Sequence, residues 1–268
     1  MPLPPPSADS TCLVTGASSG IGADIARALA SRGHGSVLVA RRTERLEELA
    51  EELRTQHGVR AETLACDLAD GGARDRLAGQ VDQLGLTVEV LVNNAGFGSG
   101  GLFQRLDHER EVEMVRLNVE AVVALCGHYV PEMVDRGRGA VLNVASTAAF
   151  QPLPRQATYS ATKAFVLAFT DALHADLGGT GVTATSLCPG PVKTEFAETA
   201  GIDEAASGLP EVFWKDSDEV AEGAVKALER GRRVVVPGKL NLAGAIGGQH
   251  APRGLFLRFG SRVTPVGR

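Results

Sequence analysis

The sequence predicts an α/β fold in which a single, doubly wound parallel sheet is covered by helices on both faces. The first observation is that short apolar, strand-like segments alternate with amphipathic helical segments along the chain. The second is the length of 268 residues, which lies within the range of one large α/β domain. The third is the composition. Its 32 glycines suit many tight strand–helix turns, and its 4% aromatic content indicates a core of Ala, Val, Leu and Ile.

Apolar runs predict the strands, and amphipathic patterns predict the helices between them. The strands are Thr11–Val14, Ser36–Ala40, Ala61–Cys66, Val88–Val92, Ala140–Ala145, Val182–Leu187 and a short last strand, Arg233–Val236. The helices are Gly20–Arg32, Thr43–His57, Arg74–Leu84, Asp107–Arg136, one that carries Tyr159 and ends near Leu177, and Glu219–Arg230. In the second helix Leu46, Leu49 and Leu53 share one face, as expected of a helix packed on a sheet.

A glycine-rich turn, Thr15–Gly22, separates the first strand from the first helix. The first of its three glycines permits a turn that a side chain would obstruct. The others let backbone approach phosphate and let the helix pack on the sheet. Free N–H groups at the helix start favour negative charge, which is typical of a Rossmann-like dinucleotide site. The residues expected to contact the nucleotide here are Gly16, Ser18, Ser19, Gly20, Ile21 and Gly22.

The end of the second strand indicates which dinucleotide is bound. An NAD-specific site would carry Asp or Glu there, but this chain has Arg41 and Arg42, with Arg41 the stronger candidate. Two guanidinium groups suit the 2′-phosphate of NADP, so NADP is the predicted cofactor. The alternative is that both arginines are solvated residues at the start of a surface helix. Further nucleotide contacts are expected from Asp67, Leu68, Asn94, Ala95 and Gly96, at the ends of the third and fourth strands.

An acid/base pair is predicted beside this nucleotide site. Tyr159 and Lys163 lie four residues apart and share one face of a helix. A nearby ammonium favours the phenolate, so we expect Lys163 to bring the pKa of Tyr159 down from its ordinary value of about 10. Ser146 follows the fifth strand, where it can reach the same place.

These segments together resemble the short-chain dehydrogenase/reductase family, over roughly residues 10–195. The chain is most similar to its NADP-preferring ketoacyl and hydroxysteroid reductases. The matching motifs are Thr15–Gly22, Asp67, Asn93–Gly96, Asn118, Ser146, Tyr159 with Lys163, and Pro189–Thr194. The chain lacks the Asp-Gly-Gly segment that contributes to a tetramer interface in many members. A homo-oligomer, dimer or tetramer, remains the expectation.

The resemblance implies a role for each matched residue. Tyr159 would exchange a proton with the carbonyl or alcohol oxygen, and Ser146 would hydrogen-bond that oxygen. Lys163 would hold the nicotinamide ribose. Asn118 would hold a water in a proton relay, unless it only bonds the helix backbone. The segment at Pro189 and Gly190 would run alongside the nicotinamide ring. Val192 and Thr194 would contact the carboxamide of that ring. The implied domain organisation is a disordered leader at 1–10, a dinucleotide-binding and catalytic domain at 11–237, and an extension of that domain at 238–268.

The residues flanking the catalytic positions predict a mostly apolar substrate pocket. The expected lining is Phe97, Ser146, Thr147, Ala148, Phe150, Pro191, Phe196, Phe213 and Trp214. The segment Glu195–Lys215 is long and irregular, as expected of a lid over an active site. No pair of basic residues in this set suggests a carboxylate site, which favours a lipophilic ketone, aldehyde or alcohol. The small-molecule substrate itself is not identified by the sequence.

Charge and cysteine content exclude several other classes. The net charge of −5 gives no basic field for nucleic acid. The four cysteines lack zinc-site spacing, so no metal is expected, and reduced buried thiols indicate a cytoplasmic protein. The start of the chain has no signal-peptide pattern. Residues 238–268 carry five basic residues and no acid, so this tail could touch a membrane or another subunit. A helix packed over the domain's own surface is the favoured alternative.

Two alternatives to an NADP-dependent carbonyl–alcohol oxidoreductase remain open at this point. One is a protein that binds NADPH as a sensor without turnover. The other is an NAD-dependent alcohol dehydrogenase. Absence of one of the catalytic residues would favour the NADPH sensor. A preference for NADH over NADPH would favour the NAD-dependent alcohol dehydrogenase. All four, namely Asn118, Ser146, Tyr159 and Lys163, are present.

Overall fold

The computed structural model describes residues 3–202, 208–251 and 257. Its centre is one seven-stranded parallel sheet in the order β3-β2-β1-β4-β5-β6-β7, which confirms the predicted fold class. The strands are β1 Ser10–Thr15, β2 Ser36–Ala40, β3 Ala61–Ala65, β4 Thr87–Asn93, β5 Gly139–Val144, β6 Val182–Leu187 and β7 Val234–Val235. The helices are α1 Gly20–Ala30, α2 Thr43–His57, α3 Gly71–Gln83, α4 His108–Val115, α5 Ala121–Asp135, α6 Ala157–Asp176, α7 Phe196–Ala200, α8 Ser217–Glu229 and α9 Lys239–His250.

Helices cover both faces of the sheet because its central strands are apolar on both sides. β1 and β5 are buried along their whole length. One apolar layer includes Ile25 of α1 and Leu46 of α2. The opposite layer includes Leu77 of α3 and Leu125 of α5. The four cysteines are free and buried in this core.

The strand order reverses between β1 and β4, which places a crevice at the carboxyl ends of these two strands. The chain leaves β1 toward β2 on one side, and leaves β4 toward β5 on the other. Open α/β sheets bind ligands at this kind of reversal. The glycine-rich turn follows β1 and the Asn94–Gly96 segment follows β4, so the fold brings both to the same crevice.

The predicted long helix over 107–136 is not one regular α-helix. α4 and α5 are joined by a π-helical turn, Arg116–Glu120, that contains Asn118. A π turn widens the helix by one residue and is frequent at functional sites. Helical periodicity does not reveal it, because the flanking α-helical patterns continue on either side.

The first residues of the chain differ from the predicted disordered leader. Ser10 already belongs to β1 and is buried. The Leu3 backbone N–H donates to the Leu228 carbonyl oxygen at 3.3 Å, and the Leu3 side chain packs on the α1–α8 side of the core. The proline-rich composition suggested disorder, but Leu3 finds apolar partners in the core.

α9 occupies the first part of the predicted tail. It packs against the 3₁₀ turn Thr147–Phe150, with Asn241 and Ala245 buried. The favoured alternative for the tail, a helix over the domain's own surface, is therefore what residues 239–250 form. The basic residues Arg253, Arg258, Arg262 and Arg268 lie outside the described residues. No helix in the described part of the chain combines the length and apolarity that crossing a bilayer requires.

Candidate active site

The glycine-rich turn has the backbone geometry that the sequence predicts. Gly16 and Gly20 have φ values of 66° and 54°, in the left-handed region that favours glycine. A Cβ on Gly16 would lie 2.8 Å from the Ala95 Cα, so the turn also needs glycine for space. The start of α1 has no side-chain cap and no acidic residue in its first turn. Its free N–H groups and positive dipole end are therefore not neutralised from within the helix, and they lie at the crevice.

Asn94 fixes this turn from the neighbouring strand. Its side-chain Nδ2 donates to the Thr15 and Gly16 carbonyl oxygens at 3.0 and 3.2 Å. The Thr15 hydroxyl oxygen in turn accepts from the Asn94 backbone N–H at 2.9 Å. A Cβ on Gly22 would lie 2.4 Å from both Asn94 Nδ2 and the Gly16 carbonyl oxygen. Gly22 therefore lies behind the turn and does not line the crevice. Gly22 was predicted to contact the nucleotide, and in the structure its position instead allows α1 to pack closely on the turn.

Three arginines and one glutamate lie where the 2′-phosphate of NADP was expected. Arg42 donates to the Ser18 and Ser19 hydroxyls, the latter at 2.7 Å, and to Glu195 at 3.0 Å. Arg45 donates to the other Glu195 oxygen at 2.7 Å, and these two guanidinium groups lower the pKa of the Glu195 carboxyl. Arg41 is more exposed and lies 3.7 Å from Glu113. Arg41 and Arg42 both line the crevice, and Arg45, which shares Glu195 with Arg42, is a basic residue that the sequence analysis missed.

Tyr159, Lys163 and Ser146 converge on one wall of the crevice. The first two are buried on one face of α6, and Lys163 Nζ lies 5.8 Å from the centre of the Tyr159 ring. Lys163 Nζ donates to the Val144 carbonyl oxygen at 2.8 Å, at the end of β5. Ser146 begins the 3₁₀ turn Thr147–Phe150, where its Oγ accepts from the Ala148 backbone N–H at 3.1 Å. The predicted pair and the predicted serine are therefore brought together.

The pKa of Tyr159 departs from the expectation. Burial raises the pKa of the Tyr159 hydroxyl to about 12, and the Ser146 hydroxyl acts in the opposite direction. Burial also lowers the pKa of the Lys163 ammonium to about 8. The pKa of Tyr159 is therefore not lowered as predicted, because burial removes water from the phenol and disfavours its charged form. A tyrosine of high pKa holds its proton at neutral pH.

Asn118 lies behind the wall of the crevice that carries Ser146, Tyr159 and Lys163, which we call the catalytic wall. Its side chain exchanges two hydrogen bonds with the Phe97 backbone, at 3.2 and 2.9 Å, and donates to the Thr162 hydroxyl at 3.1 Å. The alternative in which Asn118 bonds its own helix backbone is thus not what the side chain does. A Cβ on Gly96 would lie 2.9 Å from Asn118 Oδ1 and 3.5 Å from Lys163 Nζ. Gly96 therefore lets the β4 loop pack against both residues.

A cavity of about 1070 Å³ runs from the glycine-rich turn and Arg42 to Ser146, Tyr159 and Lys163. We call the part beside the glycine-rich turn and the arginines the nucleotide end, and the part beyond Tyr159 the substrate end. Predicted nucleotide contacts that line the cavity are Gly16, Ser18, Ser19, Gly20, Ile21, Arg41, Arg42, Asp67, Leu68, Asn94, Ala95, Gly96, Tyr159, Lys163, Pro189, Gly190, Val192 and Thr194. Predicted pocket residues that line it are Phe97, Ser146, Thr147, Ala148, Pro191, Phe196, Phe213 and Trp214.

Phe150 is the one predicted pocket residue outside the lining. It packs instead on the α3–α5 side of the core. The prediction that Phe150 lines the pocket is therefore wrong, because this apolar layer takes up its side chain.

The two ends of the predicted lid, Glu195–Lys215, lie close together in the structure. Val192 and Lys215 pair as a single parallel bridge, and the Lys193 backbone N–H donates to the Lys215 carbonyl oxygen at 3.0 Å. Within the loop, α7 places the Phe196 ring 5.4 Å from the Tyr159 ring. Residues 203–207 of the lid lie outside the described residues.

Several lining residues escaped the sequence analysis. α9 covers the cavity with Leu240 and Asn241, and Asn241 Nδ2 donates to the Phe213 and Pro237 carbonyl oxygens, each at 3.1 Å. The loop before α6 contributes Gln151, Arg155 and Gln156. The α9 sequence has little amphipathic pattern, and the loop carries no motif. Only their position in the folded chain reveals them.

Comparisons with known proteins agree on the family. The family model described as short chain dehydrogenase matches residues 10–205. A candidate ketoacyl reductase of Streptomyces coelicolor is 34% identical over 251 residues, which cover 88% of this chain and 96% of that protein. Sulfoacetaldehyde reductase 2 of Chromohalobacter salexigens is 38% identical over 198 residues, which cover 73% and 78% of the two chains.

A solved structure gives the same result in three dimensions. The short-chain dehydrogenase from Sphingobium yanoikuyae in complex with NADPH is 33% identical. Its TM-score is 0.79, and the match covers 94% of this chain and 93% of that one. The chain belongs to the short-chain dehydrogenase/reductase family.

Proposed function

We propose that this protein is an NADP(H)-dependent oxidoreductase that interconverts a carbonyl and an alcohol. The observation that carries the proposal is the convergence of Ser146, Tyr159 and Lys163 on a cavity that continues to the glycine-rich turn. The nucleotide end explains how a dinucleotide is held. The substrate end leaves room for a second molecule beside Tyr159.

The residues at the nucleotide end fit NADP. Gly16 and Gly20 leave room for phosphate beside the free N–H groups of α1. Arg41 and Arg42 offer guanidinium groups to a 2′-phosphate, with Arg45 beside them. A related structure that was solved with NADPH supports the same choice. When bound, the cofactor supplies the hydride, so the protein supplies position and a proton.

In the direction of reduction, Tyr159 donates the proton. Its raised pKa keeps the hydroxyl protonated at neutral pH, so the proton that the carbonyl oxygen takes up is present on Tyr159. Ser146 Oγ lies on the same wall and donates a hydrogen bond to the carbonyl oxygen as negative charge develops there. The Lys163 ammonium favours the phenolate that remains after proton transfer. In the reverse direction the same phenolate removes the alcohol proton.

Asn118 contributes to proton resupply through its backbone. Its side-chain amide already has partners in Phe97 and Thr162. A water that connects Lys163 to solvent would therefore bond the Asn118 carbonyl group in the widened π turn. The family resemblance implies that Asn118 holds a water in a proton relay, and in this proposal its backbone carbonyl group holds that water.

The substrate has a lipophilic part in this proposal. Phe97, Phe196, Phe213, Trp214 and Leu240 line the cavity, and burial of apolar surface is the main gain that such a lining offers. The relatives' names, a candidate ketoacyl reductase and a sulfoacetaldehyde reductase, differ in substrate, so neither is transferred. We infer a ketone or aldehyde with an apolar segment.

Exposed apolar side chains support a homo-oligomer. Val115, Val123 and Phe165 on the α4–α6 side are each at least 40% exposed, and Phe165 stacks on Phe169 with ring centres 6.0 Å apart. Burial of this surface in a second copy would stabilise a dimer. Light scattering after gel filtration measures the mass. Phe165→Glu should halve the mass, and an unchanged mass would contradict the proposed surface.

The test of function is the initial rate of NADPH oxidation over a panel of lipophilic ketones and aldehydes, repeated with NADH. Turnover that favours NADPH supports both the reaction and the arginine assignment. Turnover that favours NADH supports an NAD-dependent dehydrogenase. NADPH binding without turnover across a broad panel supports a sensor. Direct titration of NADPH separates that last outcome from a protein that binds no dinucleotide.

A further inference from the structure

Arg155 is the most unusual residue at the substrate end. It has φ 70°, the one positive φ value among the non-glycine residues that the structure describes. Side chains rarely adopt this left-handed conformation, and glycine would adopt it without strain. The backbone there is fixed, since the Arg155 carbonyl oxygen accepts from the Gly101 backbone N–H at 2.8 Å. A large charged residue thus occupies a position whose backbone favours glycine, which indicates that its side chain has a use.

The Arg155 guanidinium lines the cavity and lacks an acceptor. Its Nη1 atom is covered by protein yet makes no hydrogen bond with any described residue. A guanidinium is charged at every working pH, and a buried nitrogen of such a group without an acceptor is unfavourable. Buried polar atoms in native proteins are nearly always paired, so an orphaned one indicates a strained or functional position.

No carboxylate balances this charge at the substrate end. The acidic residues among the described lining are Asp67 and Glu195, and both belong to the nucleotide end. Glu195 is already paired with Arg42 and Arg45. The other polar side chains beside Arg155, Gln151 and Gln156, are neutral.

The start of α6 adds to the positive field. The residue before its first turn, Gln156, makes no side-chain cap bond, and the first turn has no acidic residue. The positive end of the helix dipole is therefore uncompensated next to Arg155. Tyr159, the proton donor, lies in the same turn. The start of α6 and the segment just before it thus bring a proton donor, Tyr159, and a guanidinium, Arg155, to the same cavity.

We propose that Arg155 determines substrate specificity by binding an oxyanion, a carboxylate in the simplest case, carried by the same molecule whose carbonyl is reduced. This inference rests on the proposed function and sharpens it, because the substrate becomes an apolar segment with a carbonyl at Tyr159 and an anionic group at Arg155. The sequence analysis expected no carboxylate site because the predicted lining has no pair of basic residues, and Arg155 lies outside that predicted set. A single guanidinium can hold a carboxylate through two parallel hydrogen bonds.

The test uses straight-chain methyl-ketone carboxylates of increasing length, each paired with its methyl ester, as substrates with NADPH. At the matching length, the wild type should have the higher kcat/KM for the carboxylate. Arg155→Met should lower that value about 10- to 100-fold and change the ester less than about threefold. Arg155→Lys should restore part of the preference. The control Arg105→Met removes an exposed cation that does not line the cavity and should change neither value.

Equal losses for carboxylate and ester in Arg155→Met would show a structural role and overturn the inference. A wild type with no carboxylate preference at any length would overturn it as well. If neither substrate is turned over, the proposed function fails, and binding then decides the inference. Trp214 is the single tryptophan and lines the cavity, so its fluorescence can report binding of straight-chain carboxylates in the presence of NADP⁺. Saturable binding lost in Arg155→Met supports the site, and no binding to the wild type contradicts it.

Discussion

The two ends of the cavity are built in different ways. The nucleotide end is centred on one turn of eight residues, Thr15–Gly22, whose backbone is held by Asn94 from the adjacent strand. The substrate end is assembled from distant segments, with Arg155 before α6, Phe196 in α7 and Asn241 in α9. Close backbone packing at the nucleotide end tolerates few substitutions. At the substrate end, side chains on separate segments can be substituted without disturbing one another. We infer that the first end fixes the reaction and the second determines its substrate.

Gly22→Ala should have the largest effect of the changes that test this difference. The new Cβ would meet the Gly16 carbonyl oxygen and Asn94 Nδ2 at 2.4 Å, and neither can move without opening the turn. We expect a loss of about 3 kcal/mol in the free energy of unfolding, the upper part of the range for overpacking. NADPH affinity should fall with it. Chemical denaturation and NADPH titration measure the two effects.

The control for that change is Gly223→Ala in the middle of α8, where a Cβ would meet no atom within 4 Å. An alanine there should stabilise the helix slightly. If Gly22→Ala were tolerated as well as Gly223→Ala, the close packing at the nucleotide end would not matter as described.

The double change Arg41→Ser with Arg42→Ser should lower the preference for NADPH over NADH about 10- to 100-fold. Each guanidinium offers charge-assisted hydrogen bonds to a 2′-phosphate, and a bond of this kind contributes about 1.5–3 kcal/mol. The ratio of kcat/KM values for the two cofactors measures the preference. Arg60→Ser is the control, because Arg60 precedes β3, at the amino ends of the parallel strands and away from Arg41 and Arg42 at the carboxyl end of β2, and it pairs with Glu62. An unchanged ratio in the double variant would assign the selection to other residues.

The rate of reduction should depend on pH through Lys163. Because burial lowers its pKa to about 8, the side chain is an ammonium below pH 8 and becomes neutral above it. Tyr159, with a pKa near 12, stays protonated over this range. We expect kcat/KM to be level at neutral pH and to fall as pH rises past about 8. A profile that stays level up to pH 10 would mean that the Lys163 charge is not needed.

Gly247→Ala should have the smallest effect and the opposite sign. Gly247 is exposed in α9, and a Cβ there meets no atom within 4 Å. Alanine in a helix interior is favoured by about 0.5–1 kcal/mol over glycine. Thermal unfolding should show a small rise in Tm, with no change in NADPH affinity. A fall in Tm would indicate that α9 needs the freedom of glycine to cover the cavity.

The sequence predicts local features well and non-local ones poorly. β2, α2 and β6 have the predicted bounds, because their apolar patterns and flanking turns lie within the segments themselves. The glycine-rich turn and the Tyr159–Lys163 pair were found for the same reason. Arg155 and α9 were missed because their role depends on which segments the fold brings beside them. The pKa of Tyr159 was mispredicted because spacing indicates that a lysine is near but not how deeply the phenol is buried.

Tyr159→Phe tests the central claim most directly, because it removes one oxygen atom from the proposed proton donor and keeps the ring that packs beside Phe196. The variant should bind NADPH as the wild type does, while kcat/KM for a ketone substrate falls about 10²- to 10⁴-fold. Wild-type turnover by Tyr159→Phe would contradict the assignment of Tyr159 as the proton donor, and with it this account of the catalytic wall.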